Sequence, residues 1–325
     1  MKKIETVSLV GLGAIGCAYL SRIAQVLPPE NVRVIADKKR AEKYKNGVSV
    51  NGKNYQFTVV DPEDSCEPAD LLIFAVKFNQ LGEAIEEAKN HVGSETLILS
   101  FLNGVTSEEL IGARYGMEKL LYSISVGIDA VRVNTSVCFH SLGTVSFGEK
   151  KNAEGQYSEK VLRVRELFER AGINYSIPED MMRTLWWKFM VNVGINQTSA
   201  VVGGPYGVFQ NVPVAHDLME SAMEEVVALT AKAGVNLTRA DIEDWNGMLE
   251  KLSPVGKTSM LQDIEAGRQT EVNIFAGTVV DLGARYGVPT PVNSTLLKII
   301  QSMEGKFKYR KNQNKSDERI GKYGD

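Results

Sequence analysis

The chain has 325 residues, enough for two domains that each bury a sizeable core. Its formal charge of -3 offers neither the basic field of a nucleic-acid binder nor an acidic solvating tail. Its apolar runs fall short of a membrane span. Met1-Lys2-Lys3 leads into Glu5 and a glycine turn rather than a cleavage site, so a soluble cytoplasmic protein with no nucleic-acid or membrane partner is expected.

Val7-Ser8-Leu9-Val10 reads as a strand that runs directly into Gly11-Leu12-Gly13-Ala14-Ile15-Gly16. Cys17 to Ala24 reads as the helix that follows, and Val32 to Ala36 as a second strand ending at Asp37. GxGxxG between a strand and a helix predicts a dinucleotide site. Each glycine has a task there: a tight turn, close approach of backbone to a pyrophosphate, and close helix–strand packing. Asp37 stands where the adenosine ribose is read. A carboxylate there suits NADH, whereas Lys38, Lys39 and Arg40 could hold a 2′-phosphate, so the residues leave the cofactor open.

Short strands are expected at Val48–Val50 and Gln56–Val59, before a helix-separated pair of apolar strands. Those are Asp70–Val76, ending at Lys77, and Thr96–Leu102, ending at Asn103-Gly104; continuous apolar character marks strands buried on both faces. Gly11, Asp37, Lys77 and Asn103 therefore fall on the carboxyl edge of one parallel sheet, where such sheets bind ligands. Leu121–Gly127 and Thr144–Gly148 predict an antiparallel addition, with Val137–His140 pairing to the latter across Gly143. Tyr157–Ala171 predicts an amphipathic helix closed by Gly172, and Ile173–Ile177 one more strand.

Pro178 marks a break, and helices are expected over 180–200, 214–233, 238–251, 258–285 and 293–303. The fold expected is α/β: a Rossmann-type, mostly parallel sheet domain over 1–180 and an all-helical domain over 181–304. A solvated tail is expected from Gly305 to Asp325. Cys17, Cys66 and Cys138 are too few and scattered for a disulfide framework and are expected as reduced, mostly buried thiols. His91, His140 and His216 lack ligand spacing and are expected to be structural, with no metal bound.

In the first of these helices, Lys188, Asn192 and Asn196 are spaced four apart and form one polar stripe. Trp186, Trp187, Phe189, Met190, Val191, Val193 and Ile195 surround it. A buried amide without a partner costs roughly 1–3 kcal/mol and a buried ammonium more, so the stripe must meet either a neighbouring element or a small anionic or hydroxylated ligand. Thr258 and Ser259 are candidate caps of a long later helix that carries Glu271 about three turns on.

Together these stretches resemble the ketopantoate reductase (2-dehydropantoate 2-reductase) family, from the first strand to about residue 303. The most specific matches are Trp187-Lys188 with Asn192 and Asn196, and Ser259-Met260-Leu261-Gln262-Asp263-Ile264 with Thr270-Glu271. Ala75-Val76-Lys77 and Asn103-Gly104 match the family's cofactor-side motifs. The resemblance implies reduction of a 2-keto acid, with Lys188 as general acid and Glu271 orienting Lys188 or the substrate. It implies that Asn192, Asn196, Ser259 and Asn103 hold the substrate. Gly11 to Gly16, Asp37, Lys38, Lys77, Asn103 and Glu271 would contact the cofactor. Burial would lower the Lys188 pKa and Glu271 would raise it. The resemblance implies NADPH, and Asp37, where the family often carries Arg, departs from it toward NADH. Another two-domain dehydrogenase, of the 3-hydroxyacid or glycerol-phosphate type, and a non-catalytic nucleotide sensor are the alternatives. The oligomeric state is open, a homodimer included.

Overall fold

The computed structural model describes residues 2–320, with side chains through Phe307 and at Tyr309. The chain forms two compact units, Met1–Leu185 and Trp186–Asp325.

In the first unit, strands β1 (Val7–Val10), β2 (Val32–Ile35), β5 (Thr58–Val60), β6 (Leu71–Phe74) and β7 (Leu97–Ser100) make a five-stranded parallel sheet. Its order is β5-β2-β1-β6-β7, in which β1 pairs on both sides, Val7 with Val32 and with Leu71. The alternation of side chains sorts the core into two faces. Leu71 and Ile73 join the cluster under helices α1 (Ala14–Ile23) and α5 (Glu159–Ala171). Leu72 and Phe74 join the cluster that holds Leu81, Ala84 and Ile85 of α3 (Leu81–Glu87) and Ile111 of α4 (Ser107–Tyr115). A sheet covered on both faces explains why β1, β6 and β7 are buried at every position and apolar at all but Ser8 and Ser100.

Two smaller sheets flank it. One has the order β4-β3-β10-β9, from Lys53–Tyr55, Val48–Val50, Ser136–Cys138 and Val131–Val133. The other is β12-β11-β8, from Tyr175–Ser176, Thr144–Gly148 and Tyr122–Val126. β8 and β11 are antiparallel as expected, but β10 does not pair with β11. Beyond β10 the amides of His140 and Ser141 donate to the Asp129 carboxylate at 2.9 and 2.8 Å. The Asn51 carboxamide accepts from Phe139 N–H and donates to its carbonyl, which draws this chain segment to β3 instead. The strand expected at 56–59 begins only at Thr58, as β5; Gln56 and Phe57 lie outside it, and β4 at Lys53–Tyr55 is an additional strand.

Helix α2 (Lys38–Tyr44) follows β2. Cys17 is buried, Cys66 half-buried and Cys138 exposed, so burial is the exception among the thiols. His91 is fully buried, its Nδ1 2.9 Å from the Ser8 hydroxyl and its Nε2 3.6 Å from Cys66 Sγ. Burial, helped by Arg33, pushes its pKa down to about 4 from an ordinary value of 6.5. The neutral ring is therefore native, and as pH falls from 6.5 toward 4 the unfolded chain takes up a proton that the folded chain refuses. Stability of this unit is expected to fall by about 2–3 kcal/mol between pH 7 and 4.5 through this group. Urea unfolding of the wild type and His91→Gln at both pH values checks it, because the difference between the two proteins must shift by that amount.

The second unit is helical. Helix α6 (Met181–Val191) starts behind Asp180, whose carboxylate accepts from Arg183 N–H at 2.9 Å. It continues through a π-turn at Asn192–Asn196 into α7 (Gln197–Val202). Then come α8 (Tyr206–Asn211), absent from the sequence expectation, α9 (Pro213–Ala233), α10 (Arg239–Leu249) and α11 (Ser259–Glu265). A second π-turn at Asn273–Gly277 leads into α12 (Thr278–Tyr286), and α13 (Pro291–Ile320) ends the described chain. The two π-turns are tied together by fully buried Gln197. Its amide nitrogen donates to Val193 O at 2.7 Å and to Asn293 Oδ1 at 3.0 Å, and its amide oxygen accepts from Ala276 N–H at 3.0 Å. Asn293 also donates to Glu225, whose carboxylate accepts the Val292 and Asn293 amides and so caps α13 from α9.

The single helix expected over 258–285 is broken. Gly267 takes a φ of 61°, Arg268 N–H returns to Asp263 O, and the Thr270 amide and hydroxyl both donate to buried Glu304. These bonds satisfy the chain outside a helix, so Glu271 stands in a turn. The tail expected from Gly305 is helical as far as Ile320: no proline interrupts it, and it extends an established helix, so no new nucleus is needed. Residues 321–325 of that expectation lie outside the described residues. Among the described residues no helix is long and apolar enough to cross a membrane. Nor do three His, Cys, Asp or Glu side chains stand together as metal ligands.

Candidate active site

In the first unit a cleft of about 230 Å³ opens at the carboxyl edge of the parallel sheet. Gly11, Leu12 and Gly13 form its floor after β1, Val34 to Ala36 one wall after β2, and Ala75 to Lys77 another after β6. Gly11 has a φ of 100°, and a Cβ there would sit 2.6 Å from the Ala75 carbonyl carbon, so only glycine fits. Gly16 is also closed, by Gly11 O at 2.3 Å. Gly13 differs: a Cβ would meet nothing in the protein nearer than Ala75 O at 3.7 Å. The protein's own packing does not demand glycine at 13, whereas close approach of a ligand to the backbone does. Helix α1 begins there with no capping side chain and no acid in its first turn, leaving its first amides for an anion. The residues fit a dinucleotide. Ala14, Ile15 and Gly16 lie in the first turn of α1, behind the floor rather than on it.

At the β2 end the sequence expectation needs adjustment. Asp37 does not line the cleft. Its carboxylate caps α2, accepting from Arg40 N–H at 2.7 Å and from Arg40 Nε at 3.0 Å. The capped amide, with the Arg40 guanidinium, holds the Asp37 carboxyl below its ordinary range. Arg40 does line the cleft, its other end on Glu87, while Lys38 and Lys39 are exposed and do not. Arg132 from β9 and Tyr44 complete this end, the guanidinium 5.6 Å from the ring centre. Arg132 Nε donates to Asn134 O at 2.6 Å, and no carboxylate pairs with it among the described residues. Sequence reading missed Arg132. It is one cation in a three-residue strand, brought to the cleft by the β3-β10-β9 pairing, and nothing local marks it. Lys77 lies on the cleft wall, and Asn103 is half-buried just past β7.

The second unit holds the stripe. Asn192 and Asn196 are 4% and 8% exposed, and Lys188 is half-buried. Among the described residues none of the three side chains makes a hydrogen bond or ion pair. Burial alone lowers the Lys188 pKa, and Glu271 does not pair with it. The π-turn spans Asn192 to Asn196, where i→i+5 bonding widens the helix by a residue. Met223 side-chain atoms stand 2.3 Å from where a Gly194 Cβ would be, so this turn packs directly on α9. Ser259 is the exposed first residue of α11; the cap itself is buried Thr258, which accepts from Leu261 N–H at 3.2 Å and pairs with Ser199 Oγ at 2.6 Å. α11 packs on α7 and the π-turn, so Ser259 and the stripe belong to one helical cluster.

Two sequence profiles cover this chain: ketopantoate reductase PanE/ApbA over residues 7–152 and ketopantoate reductase PanE/ApbA C terminal over 180–304. The chain belongs to this family. It is thus an oxidoreductase of the ketopantoate reductase family, whose members bind NAD(P)H. A 2-dehydropantoate 2-reductase of Aquifex aeolicus is 27% identical over 307 residues, covering 91% of this chain and 96% of the relative. Two solved structures share the fold, each covered over 99% of its length by 93% of this chain. D-mandelate dehydrogenase with NADH and anilino(oxo)acetate has a TM-score of 0.81 at 20% identity. A dimeric ketopantoate reductase from Staphylococcus aureus has 0.77 at 18%.

Proposed function

We propose that this family member reduces 2-dehydropantoate to (R)-pantoate with hydride from NADPH, a step of pantothenate biosynthesis. The observation that carries the reading is the unpartnered stripe Lys188, Asn192 and Asn196. An ammonium and two carboxamides kept among apolar side chains, with no partner among the described residues, are the groups a hydroxylated 2-keto acid needs. The labour divides between the units. The first provides the dinucleotide cleft, with Lys77 and Asn103 toward the nicotinamide end. The second provides Asn192, Asn196 and Ser259 for the carboxylate and hydroxyl, and Glu271 to orient the substrate and meet the cofactor.

The chemistry follows from charge. Hydride arriving at the keto carbon puts negative charge on the carbonyl oxygen. Lys188 stabilises that charge and supplies the proton. A pKa lowered by burial makes the ammonium a stronger acid, better matched to a proton transfer near neutral pH. The carboxamides orient the substrate without adding charge to compete with Lys188. The nicotinamide supplies the hydride.

NADPH is favoured over NADH by the guanidinium of Arg132, which enters the adenosine end of the cleft and pairs with no carboxylate among the described residues. The Asp37 charge is already taken by Arg40. We extend the dimeric state of the Staphylococcus aureus relative to this chain as a proposal that light scattering tests. Absorbance of the reduced nicotinamide tests the reaction, with ketopantoate and, in parallel, the keto acid of mandelate, each with NADPH and NADH. Turnover of ketopantoate with NADPH supports the reading. Exclusive turnover of the aryl keto acid replaces the substrate, and cofactor binding without any turnover points to a sensor.

A further inference from the structure

Between β7 and α4 the chain makes the turn 101–106, which carries Asn103. Gly104 takes a φ of 98° there, and Asn103 beside it is half-buried. The two ends of this turn are tied together by buried side chains. Ser100 is the last residue of β7 and Ser107 the first of α4, and their hydroxyl oxygens stand 2.8 Å apart. Ser100 Oγ also accepts the Leu102 amide at 3.4 Å. Ser123 of β8 donates its hydroxyl to Ser100 O at 2.7 Å, so a third segment meets the same point.

The tie ends on a carboxyl. Ser107 Oγ donates to Glu108 Oε2 at 2.9 Å, and Glu108 is only 3% exposed. No cation pairs with it among the described residues. What reaches it are donors: the Ser107 hydroxyl, its own amide and the Ser123 amide. A carboxylate accepts them all, whereas a carboxylic acid brings a further donor among them. With the carboxylate, every hydrogen bond of the tie can run one way. Leu102 N–H donates to Ser100, the Ser100 hydroxyl to Ser107, and the Ser107 hydroxyl to Glu108. A proton on Glu108 sets donor against donor, and one contact has to open.

Burial pushes the Glu108 carboxyl up to about 7 in spite of those donors, and Glu109 adds to the shift. Both forms are therefore populated near neutral pH. The other charged groups on this side of the first unit are Glu149 and Lys150. They lie across Tyr122 of β8, with Lys150 Nζ 5.9 Å from its ring centre. Tyr122 itself is pushed up to about 12 by burial and stays uncharged.

We propose, on the reading of Asn103 as a nicotinamide-end residue, that Glu108 is its positioning residue. As a carboxylate Glu108 holds the turn that presents Asn103 to the dinucleotide, and on taking up a proton it loosens that turn.

The test is titration of the full chain with NADPH, followed by nicotinamide fluorescence, from about pH 6 to about pH 8.5. Glu108→Gln keeps the shape and, with NH₂ in place of one oxygen, stands in for the protonated acid. Comparing it with wild type at each pH cancels titration of the ligand's own phosphates. The two are expected to bind alike at the acid end. At the alkaline end wild type should bind about 2- to 10-fold more tightly, the effect of one hydrogen bond. Adenosine 2′,5′-bisphosphate, which has no nicotinamide, should bind both proteins equally throughout. Ser107→Ala leaves Glu108 in place but cuts the tie, and should weaken NADPH binding at the alkaline end to the same extent. Asn103→Ala should weaken NADPH binding too, and Glu108→Gln should add nothing in that background. A ratio of wild type to Glu108→Gln that does not change with pH overturns the proposal. So does a full Glu108→Gln effect on top of Asn103→Ala. Unchanged NADPH binding in Asn103→Ala removes Asn103 from the nicotinamide end, and the proposal with it. No keto acid takes part, so failure of the substrate assay is read separately.

Discussion

Lys188→Met is expected to lower kcat by a factor of about 10²–10⁴, the contribution of a positioned general acid, while the protein folds and holds NADPH as before. The expectation rests on what surrounds the ammonium. It is half-buried, no carboxylate pairs with it among the described residues, and burial lowers its pKa. An unpaired ammonium in such surroundings is unfavourable to the fold, so the isosteric methionine should leave the unfolding temperature unchanged or raise it. Loss of turnover with retained or increased stability is the signature of a group kept for chemistry. The pH profile gives a second readout. The acid must be protonated to act, so kcat/KM for reduction is full below the depressed Lys188 pKa and declines as pH rises through it. Unfolding temperature, dinucleotide affinity and the pH profile of kcat/KM check these points. Unimpaired turnover in Lys188→Met would remove Lys188 from the mechanism. Asn192→Ala and Asn196→Ala should act differently, through KM for the keto acid more than through the alkaline limb.

Arg132→Ala is expected to raise KM for NADPH about 10- to 100-fold and to leave KM for NADH nearly unchanged, the effect of losing a charged hydrogen bond of about 1.5–3 kcal/mol to a phosphate. Two arginines line the adenosine end, but they are not equivalent. Arg40 is held between Asp37 and Glu87, so its charge is largely compensated before any ligand arrives. Arg132 is held by a main-chain carbonyl and by the face of Tyr44, which position it without neutralising it. A 2′-phosphate therefore gains most from Arg132. Asp37→Asn keeps an N-cap oxygen while removing the charge from Arg40, and should shift preference further toward NADPH. Steady-state kinetics with both cofactors decide the matter. An equal loss for NADPH and NADH in Arg132→Ala would make Arg132 part of the adenine platform instead of the phosphate clamp.

The parallel sheet was legible because its signals are local. A strand buried on both faces is apolar at nearly every position, so β1, β6 and β7 stand out in the sequence, and Gly11 is forced by a contact with Ala75, just past the neighbouring strand β6, that no side chain survives. The pairing of β10 with β3 was not legible. It turns on the Asn51 carboxamide and the Asp129 carboxylate reaching across the chain, and a three-residue strand carries too little pattern to choose a partner. The same limit hid Arg132. The break at Gly267 was missed because the residues around it are compatible with a helix, and what ends it is Glu304, buried from another helix and bonded to Thr270.

What the sequence determined by itself is the chemistry on offer: a glycine turn for a dinucleotide, and Lys188, Asn192 and Asn196 set four apart on one apolar helix. Covalent spacing and backbone sterics decide those things residue by residue. What only the tertiary structure decided is which of these groups were already spoken for. Asp37 is spent on Arg40 and on capping its helix, while Lys188, Asn192 and Asn196 have no partner among the described residues. Whether a polar group is satisfied depends on atoms that arrive from distant parts of the chain, and packing, not spacing, fixes their positions.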